Sequence, residues 1–84
     1  MSQEQAEETL REILARVVRK DVSELGREDD LVETLGIDSL AGLRALAGAE
    51  KYFDVRFPDE RLGEFRSMGR ILEFIEEQNR KENS

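Results

Sequence analysis

Residues 35–46 read "LGIDSLAGLRAL", and the fold depends on how this stretch is parsed. Gly36 can take the backbone angles needed to turn the chain. Asp38 and Ser39 follow, and from Leu40 apolar residues recur at helical spacing. A helix should therefore run from Ser39 to about Tyr52, with Leu40, Leu43, Leu46, Ala47 and Phe53 keeping its period. Its middle is built from small residues, Gly42, Ala45, Ala47, Gly48 and Ala49. An interior glycine costs roughly 1 kcal/mol relative to alanine, so something other than helix propensity must account for two of them.

Working outward, Leu10, Ile13, Leu14, Val17 and Val18 fall at i, i+3, i+4, i+7 and i+8, one apolar stripe of a first helix. Ala6 extends the stripe, and Ser2 followed by Gln5 fits a capping box. Lys20 to Gly36 reads as a long connection rich in Asp, Ser and Gly, pinned across the bundle by Leu25, Leu31, Val32 and Leu35. Downstream, Phe53, Val55 and Phe57 alternate and stop at Pro58. A lone short strand has no partner here, so an extended, packed loop is expected, with Pro58 in the first turn of a short helix through Glu60 to Phe65. Ser67 can cap a last helix that buries Met68, Ile71, Leu72 and Ile75. The sum is an all-α domain, a small four-helix bundle of three longer helices and one short one. It should span residues 1–84, with its core over about 3–78 and a frayed tail over 79–84. Leu, Val, Ile and Phe make up 23 of 84 residues, above the roughly 20% below which a charged chain tends to stay disordered.

Composition excludes much chemistry. A net charge of −7 repels phosphate backbones, so nucleic acid is not expected as a partner. With no Cys there is no disulfide, thiolate nucleophile or thiolate metal site, and with no His the commonest general base and metal ligand is missing. Asp29, Asp30 and Glu33 lack the spacing of a calcium-binding loop, so no metal site is expected. No apolar run approaches the roughly 18 residues of a membrane span. The acidic start "MSQEQAEETL" is unlike a signal peptide, which makes the cytoplasm the expected compartment and membrane insertion unexpected. No Gly-rich phosphate loop or Ser-His-Asp set occurs, and Ser39 has no His to activate it. An enzyme is not expected.

Ser39 nevertheless stands at a helix N-terminus, where free N–H groups and the helix dipole favour a phosphate. Two readings are open. Ser39 could be a plain helix cap, although no Glu or Gln follows at the third position. Alternatively Asp38 caps the helix alone and leaves Ser39 free to carry a phosphodiester without disturbing the core.

"LGIDSL" resembles the phosphopantetheine attachment motif of acyl carrier proteins, whose usual form is Leu-Gly-x-Asp-Ser-Leu. The resemblance runs without a gap from about Thr9 to Glu76. "DDLVET" matches the stretch before the motif, and Phe53 falls where the family ends its second helix with Phe. "VRFPDE" is similar to the family's Ile-x-Ile-Pro-Asp-Glu, and "SMGRILEFI" to its final helix, with Phe74 in place of Tyr. The resemblance implies that Ser39 carries 4′-phosphopantetheine, attached from coenzyme A by a phosphopantetheinyl transferase. It implies a stand-alone bacterial carrier whose arm holds acyl groups as thioesters in fatty-acid, polyketide or related lipid biosynthesis, and the departures of this chain from the family pattern point to a specialised one. Asp38 and Leu40 would serve partner recognition, together with Gly36, Ile37 and Arg44. Partners would be acyl-loading and acyl-processing enzymes such as ligases, ketosynthases or acyltransferases, and the carrier would be a monomer. A peptidyl carrier of a non-ribosomal pathway is a close variant, but that family typically has Gly-Gly-His-Ser-Leu where this chain has Ile37-Asp38-Ser39-Leu40. A docking subunit that keeps the fold without the modification is the reading from another class.

Two departures stand out against the resemblance. The second long helix of bacterial fatty-acid carriers is strongly acidic, whereas residues 39–53 carry Arg44 and Lys51 against Glu50 alone. Ala45 and Ala49 stand where the family usually has large aliphatic core residues. They could enlarge an acyl pocket formed by Leu43, Leu46, Ala49, Phe65 and Leu72. Alternatively Tyr52, Phe57 and Phe65 could fill the space.

Overall fold

The computed structural model describes residues 2–82. Helix α1 (Gln3–Val18) starts where the sequence pattern puts it. The Gln5 N–H donates to the Ser2 hydroxyl at 3.2 Å, and the Ser2 N–H donates to the Gln5 side-chain oxygen at 3.1 Å. Two of the orphan donors of the first turn are thereby satisfied. Leu10 and Leu14 are fully buried, each contributing roughly 1.5–3 kcal/mol of apolar burial. Ile13, Val17 and Val18 flank them, partly buried. The helix ends at Arg19 in the left-handed conformation, its N–H donating to the Ala15 carbonyl.

The connection after α1 is pinned, as its scattered apolar residues imply, but it also holds a short helix that the sequence reading lacked. Val22, Leu25, Leu31 and Leu35 are buried while Val32 is exposed. The Arg11 guanidinium donates to the Leu25 carbonyl at 2.9 Å and ties the loop to α1. Helix α2 (Leu31–Leu35) is only five residues long, too short to display a hydrophobic period. Its signals are its ends. Asp30 accepts the Glu33 N–H at 3.0 Å as N-cap, and Gly36 closes it at φ 68°.

Helix α3 (Ser39–Phe53) buries Ala45, Leu46 and Ala49 and packs against α1. Gly48 is explained by that contact. A Cβ there would lie 3.1 Å from the Ile13 Cγ2, so any larger residue would require that side chain to give by a few tenths of an ångström. At Asp54 the chain again takes the left-handed conformation, and residues 55–58 continue without regular structure, the extended loop read from "VRFP". The Phe57 N–H is satisfied by the Glu50 carboxylate at 2.7 Å.

A 3₁₀ helix (Asp59–Glu64) follows Pro58, close to the expected short helix. Helix α4 (Met68–Glu82) begins at Ser67, whose hydroxyl accepts the Arg70 N–H at 3.2 Å. Met68, Ile71, Leu72, Phe74 and Ile75 are buried. Its first turn docks on the connection. The Gly69 N–H donates to the Arg27 carbonyl at 2.9 Å, and the Leu31 N–H donates to the Arg66 carbonyl at 2.7 Å. Helix α4 runs on through residues 79–82, beyond the end expected for ordered structure. Arg80 stands four residues after Glu76, a spacing that favours continued helix. Residues 83 and 84, also expected to fray, lie outside the described residues.

Phe57, Phe65 and Phe74 meet in one cluster with ring centroids 4.9–5.3 Å apart. Tyr52 does not join them. It is 57% exposed and touches only Phe53 among the rings, so it fills none of the space left by the small residues of α3. The architecture is therefore the expected all-α bundle of three longer helices, with α2 and the 3₁₀ helix as two short ones. Its Cα radius of gyration of 12.0 Å equals that of a compact chain of this length, about 12 Å.

Candidate functional site

The turn that precedes α3 is fixed from both sides. Gly36 ends α2 in the left-handed conformation, which would strain any residue with a Cβ. Ile37 plugs into the core at 8% exposure. Asp38 adopts extended backbone angles and its carboxylate accepts the Ala41 N–H at 2.8 Å, which makes Asp38 the N-cap. Ser39 is thus the first residue of the helix and not its cap. Its side chain is exposed and its hydroxyl has no hydrogen-bond partner among the described residues. The free first-turn N–H groups beside it provide a local positive end suited to an anion.

Ser39 stands at the mouth of a groove of about 580 Å³. Leu31 and Val32 of α2 and Leu62 and Gly63 of the 3₁₀ helix line it. Gly42, Ala45 and Leu46 of α3, together with Phe65, Leu14 and Ile71, line its depth. Small residues open it. A Cβ on Gly42 would meet only the Ile37 Cγ2 at 3.6 Å, and a Cβ on Gly63 would meet nothing within 4 Å. Arg66 stands at the edge, held by Asp30 at 2.9 Å. The Glu33 N–H, aided by Arg66, keeps the Asp30 carboxyl below the usual carboxylate range.

Of the residues expected around a pocket, Leu43, Leu46 and Phe65 are brought together here, joined by Ala45. Ala49 is not among them. It is fully buried on the α3 face turned into the bundle. Leu72 lines a different, smaller cavity of about 200 Å³, with Phe53 and Ser2. Of the residues expected to meet partners, Asp38, Leu40 and Arg44 are exposed and Gly36 is exposed as the hinge of the turn. Ile37 is buried, so it offers an anchor to the turn and a wall to the groove but no docking surface. Leu31, Val32, Leu62, Gly63 and Arg66 were not foreseen in the groove. Gly63 inside a short helical segment was the one available signal, since helix propensity does not account for a glycine there.

A family model described as a phosphopantetheine attachment site matches residues 8–75. The chain belongs to that family. It is similar to the acyl carrier protein of Phytoplasma mali, 32% identical over 68 residues covering 81% of each chain. It is also similar to the acyl carrier protein of Clostridium acetobutylicum, 29% identical over 81% of this chain and 88% of the relative. That of an Exiguobacterium species is 32% identical over 90% of this chain and 96% of the relative. The protein is accordingly a phosphopantetheine carrier of the acyl carrier protein family, a carrier and not a catalyst. The local structure fits the group, because an exposed serine free of intramolecular bonds adjoins a helix N-terminus and an apolar groove. Among the described residues no helix is long and apolar enough to cross a membrane.

Proposed function

We propose that Ser39 is the residue that carries the 4′-phosphopantetheine arm, and that the chain shuttles acyl intermediates in fatty-acid, polyketide or related lipid biosynthesis. The observation that carries this reading is the division of labour at the turn. Asp38 alone caps α3, so the Ser39 hydroxyl is left exposed and unbonded. When attached, the arm supplies a terminal thiol for thioester formation, which a chain without cysteine lacks. The protein's own residues do the rest. Gly36 and Ile37 fix the turn, Asp38 holds the first helical turn in register, and the free N–H groups of that turn lie beside the phosphodiester position.

The groove beside Ser39 supports a second element of the proposal, that the acyl chain of the cargo can lie between α2, α3 and the 3₁₀ helix. Its volume falls in the range of small-molecule sites, about 300–1,000 Å³, and its lining is largely apolar. The partners follow from the carrier role: a phosphopantetheinyl transferase, then acyl-loading and acyl-processing enzymes such as ligases, ketosynthases or acyltransferases. The cytoplasm is the compartment and a monomer the working form in this reading. Incubation with coenzyme A and a broad-range transferase tests it by intact mass. The wild type should gain one phosphopantetheine and Ser39→Ala none. An unmodified wild type, or a modified Ser39→Ala, would overturn the assignment.

A further inference from the structure

Apart from Asp38, Ser39 and Arg66, every residue that lines the groove is apolar or glycine. The Asp38 carboxylate accepts the Ala41 N–H as the cap of α3, and Ser39 is the attachment residue proposed above. Arg66 brings the one cation of the lining. Its Nε lies 2.9 Å from an Asp30 carboxylate oxygen, and its side chain is half exposed. A guanidinium carries its N–H donors in a planar fork and accepts nothing. The donors on the terminal nitrogens of Arg66 have no partner among the described residues. Asp30 thus balances the charge of Arg66 without using up its donors.

An acyl chain that filled the groove would take water from those donors. Donors left without an acceptor would oppose its entry, because a missing partner costs more than an ordinary hydrogen bond gains. A saturated chain offers them nothing. A terminal carboxylate offers acceptors, but it would add negative charge where Asp38 and Asp30 already outnumber Arg66, on a chain of net charge −7. A keto oxygen is a neutral acceptor with nothing to donate, which matches a group that can only donate.

We infer that Arg66 sets the cargo class of this carrier: the groove takes acyl chains bearing a keto oxygen, which accepts from the Arg66 guanidinium, in preference to saturated chains. The inference deepens the groove reading above and rests on it. Leu43, Leu46 and Phe65 would receive the hydrocarbon part, so the lining fits a mainly apolar chain with an oxygen at Arg66 and not a chain polar throughout. A site that supplies a donor discriminates against the analogue lacking the acceptor.

Free pantetheine amides test this without attachment to Ser39. The acyl groups are octanoyl, oxo-octanoyl with the keto group early, midway or late along the chain, and the mono-amide of octanedioic acid. Each is titrated into the isotopically labelled protein and followed by the amide shifts of Ala45, Leu46, Phe65 and Arg66. In the wild type, at least one oxo chain should bind more tightly than octanoyl. In Arg66→Met, which keeps the backbone bond from the Leu31 N–H, octanoyl should become the tighter ligand. The ratio of the two affinities should change by about tenfold between the proteins, as for a bond from a half-exposed charged donor. In Asp30→Asn the oxo preference should remain, while the octanedioic chain should gain because the carboxylate that balances Arg66 is gone. A wild type that prefers octanoyl or the octanedioic chain would overturn the inference. So would an oxo preference untouched in Arg66→Met, or no groove shift from any chain. Intact mass after transferase treatment reports on Ser39 separately. Modified protein without the oxo preference would overturn the cargo inference and leave the attachment site standing.

Discussion

The two interior glycines of α3 should respond to alanine in opposite ways. At Gly42 an added Cβ meets only the Ile37 Cγ2 at 3.6 Å, an ordinary contact. Gly42→Ala should therefore realise most of the helix-propensity gain, about 0.8–1 kcal/mol. The unfolding entropy of an 84-residue domain, at about 2.1 cal/mol/K per residue, is about 0.18 kcal/mol/K, so Tm should rise by about 5 °C. At Gly48 the added Cβ would sit 3.1 Å from the Ile13 Cγ2. Isoleucine in a helix is nearly confined to one χ1 rotamer, so that methyl group cannot swing aside. The α1–α3 contact would have to open by a few tenths of an ångström, and a gap of about 0.5–1 Å already forfeits a quarter to a half of the dispersion attraction. That loss should cancel the propensity gain, leaving Tm unchanged or lower for Gly48→Ala. Thermal unfolding of both variants, followed by far-UV circular dichroism, gives the comparison. If Gly48→Ala raised Tm as much as Gly42→Ala, the close approach of α1 and α3 would not be what demands glycine at position 48.

Two further outcomes follow from the geometry of the site. In the protein loaded with acyl chains of increasing length, the amides of Ala45, Leu46 and Phe65 should shift progressively, while those of Ala49 and Leu72 should not. Shifts confined to the Leu72 cavity, or none with chain length, would contradict the groove assignment. The Asp30 carboxyl titrates below its ordinary value because it accepts the Glu33 N–H, with Arg66 adding to the effect. A depressed folded-state pKa gives stability that is present above the unfolded value and lost as pH falls through the folded one. Asp30→Asn should therefore flatten that part of the acid limb in a plot of Tm against pH, and an unchanged acid limb would refute the linkage.

The sequence made α1, α3 and α4 legible because each is long enough for its apolar stripe to repeat several times and each starts at a side-chain cap. The free hydroxyl of Ser39 was legible for a local reason too, since the Gly36 turn and the Asp38 cap are adjacent to it in the chain. Helix α2 was not, because five residues show no period and its capping Asp30 and terminal Gly36 are residue types equally at home in turns. The groove was only half visible. Leu40, Leu43 and Ala47 keep the helical period of α3 yet are exposed, while Ala45 and Ala49 are buried beside Leu46, so periodicity marked the helix but not its buried face. Ala49 and Leu46 differ by three positions, yet one faces the bundle interior and the other also lines the groove. Walls contributed by Val32 and Gly63 come from elements distant in sequence, and their meeting depends on bonds such as Leu31 N–H to the Arg66 carbonyl. Tyr52 was expected as a possible filler on volume alone, but its place on the helix turns it to the surface.

The most direct test of the central claim is site-resolved mass spectrometry of the transferase-treated wild type. The chain has serines at positions 2, 23, 39, 67 and 84. The Ser2 and Ser67 hydroxyls accept capping hydrogen bonds, whereas that of Ser39 is free. Fragment ions should place a single phosphopantetheine between Ile37 and Leu40, on Ser39. A modification found on any of the other four serines would contradict the account.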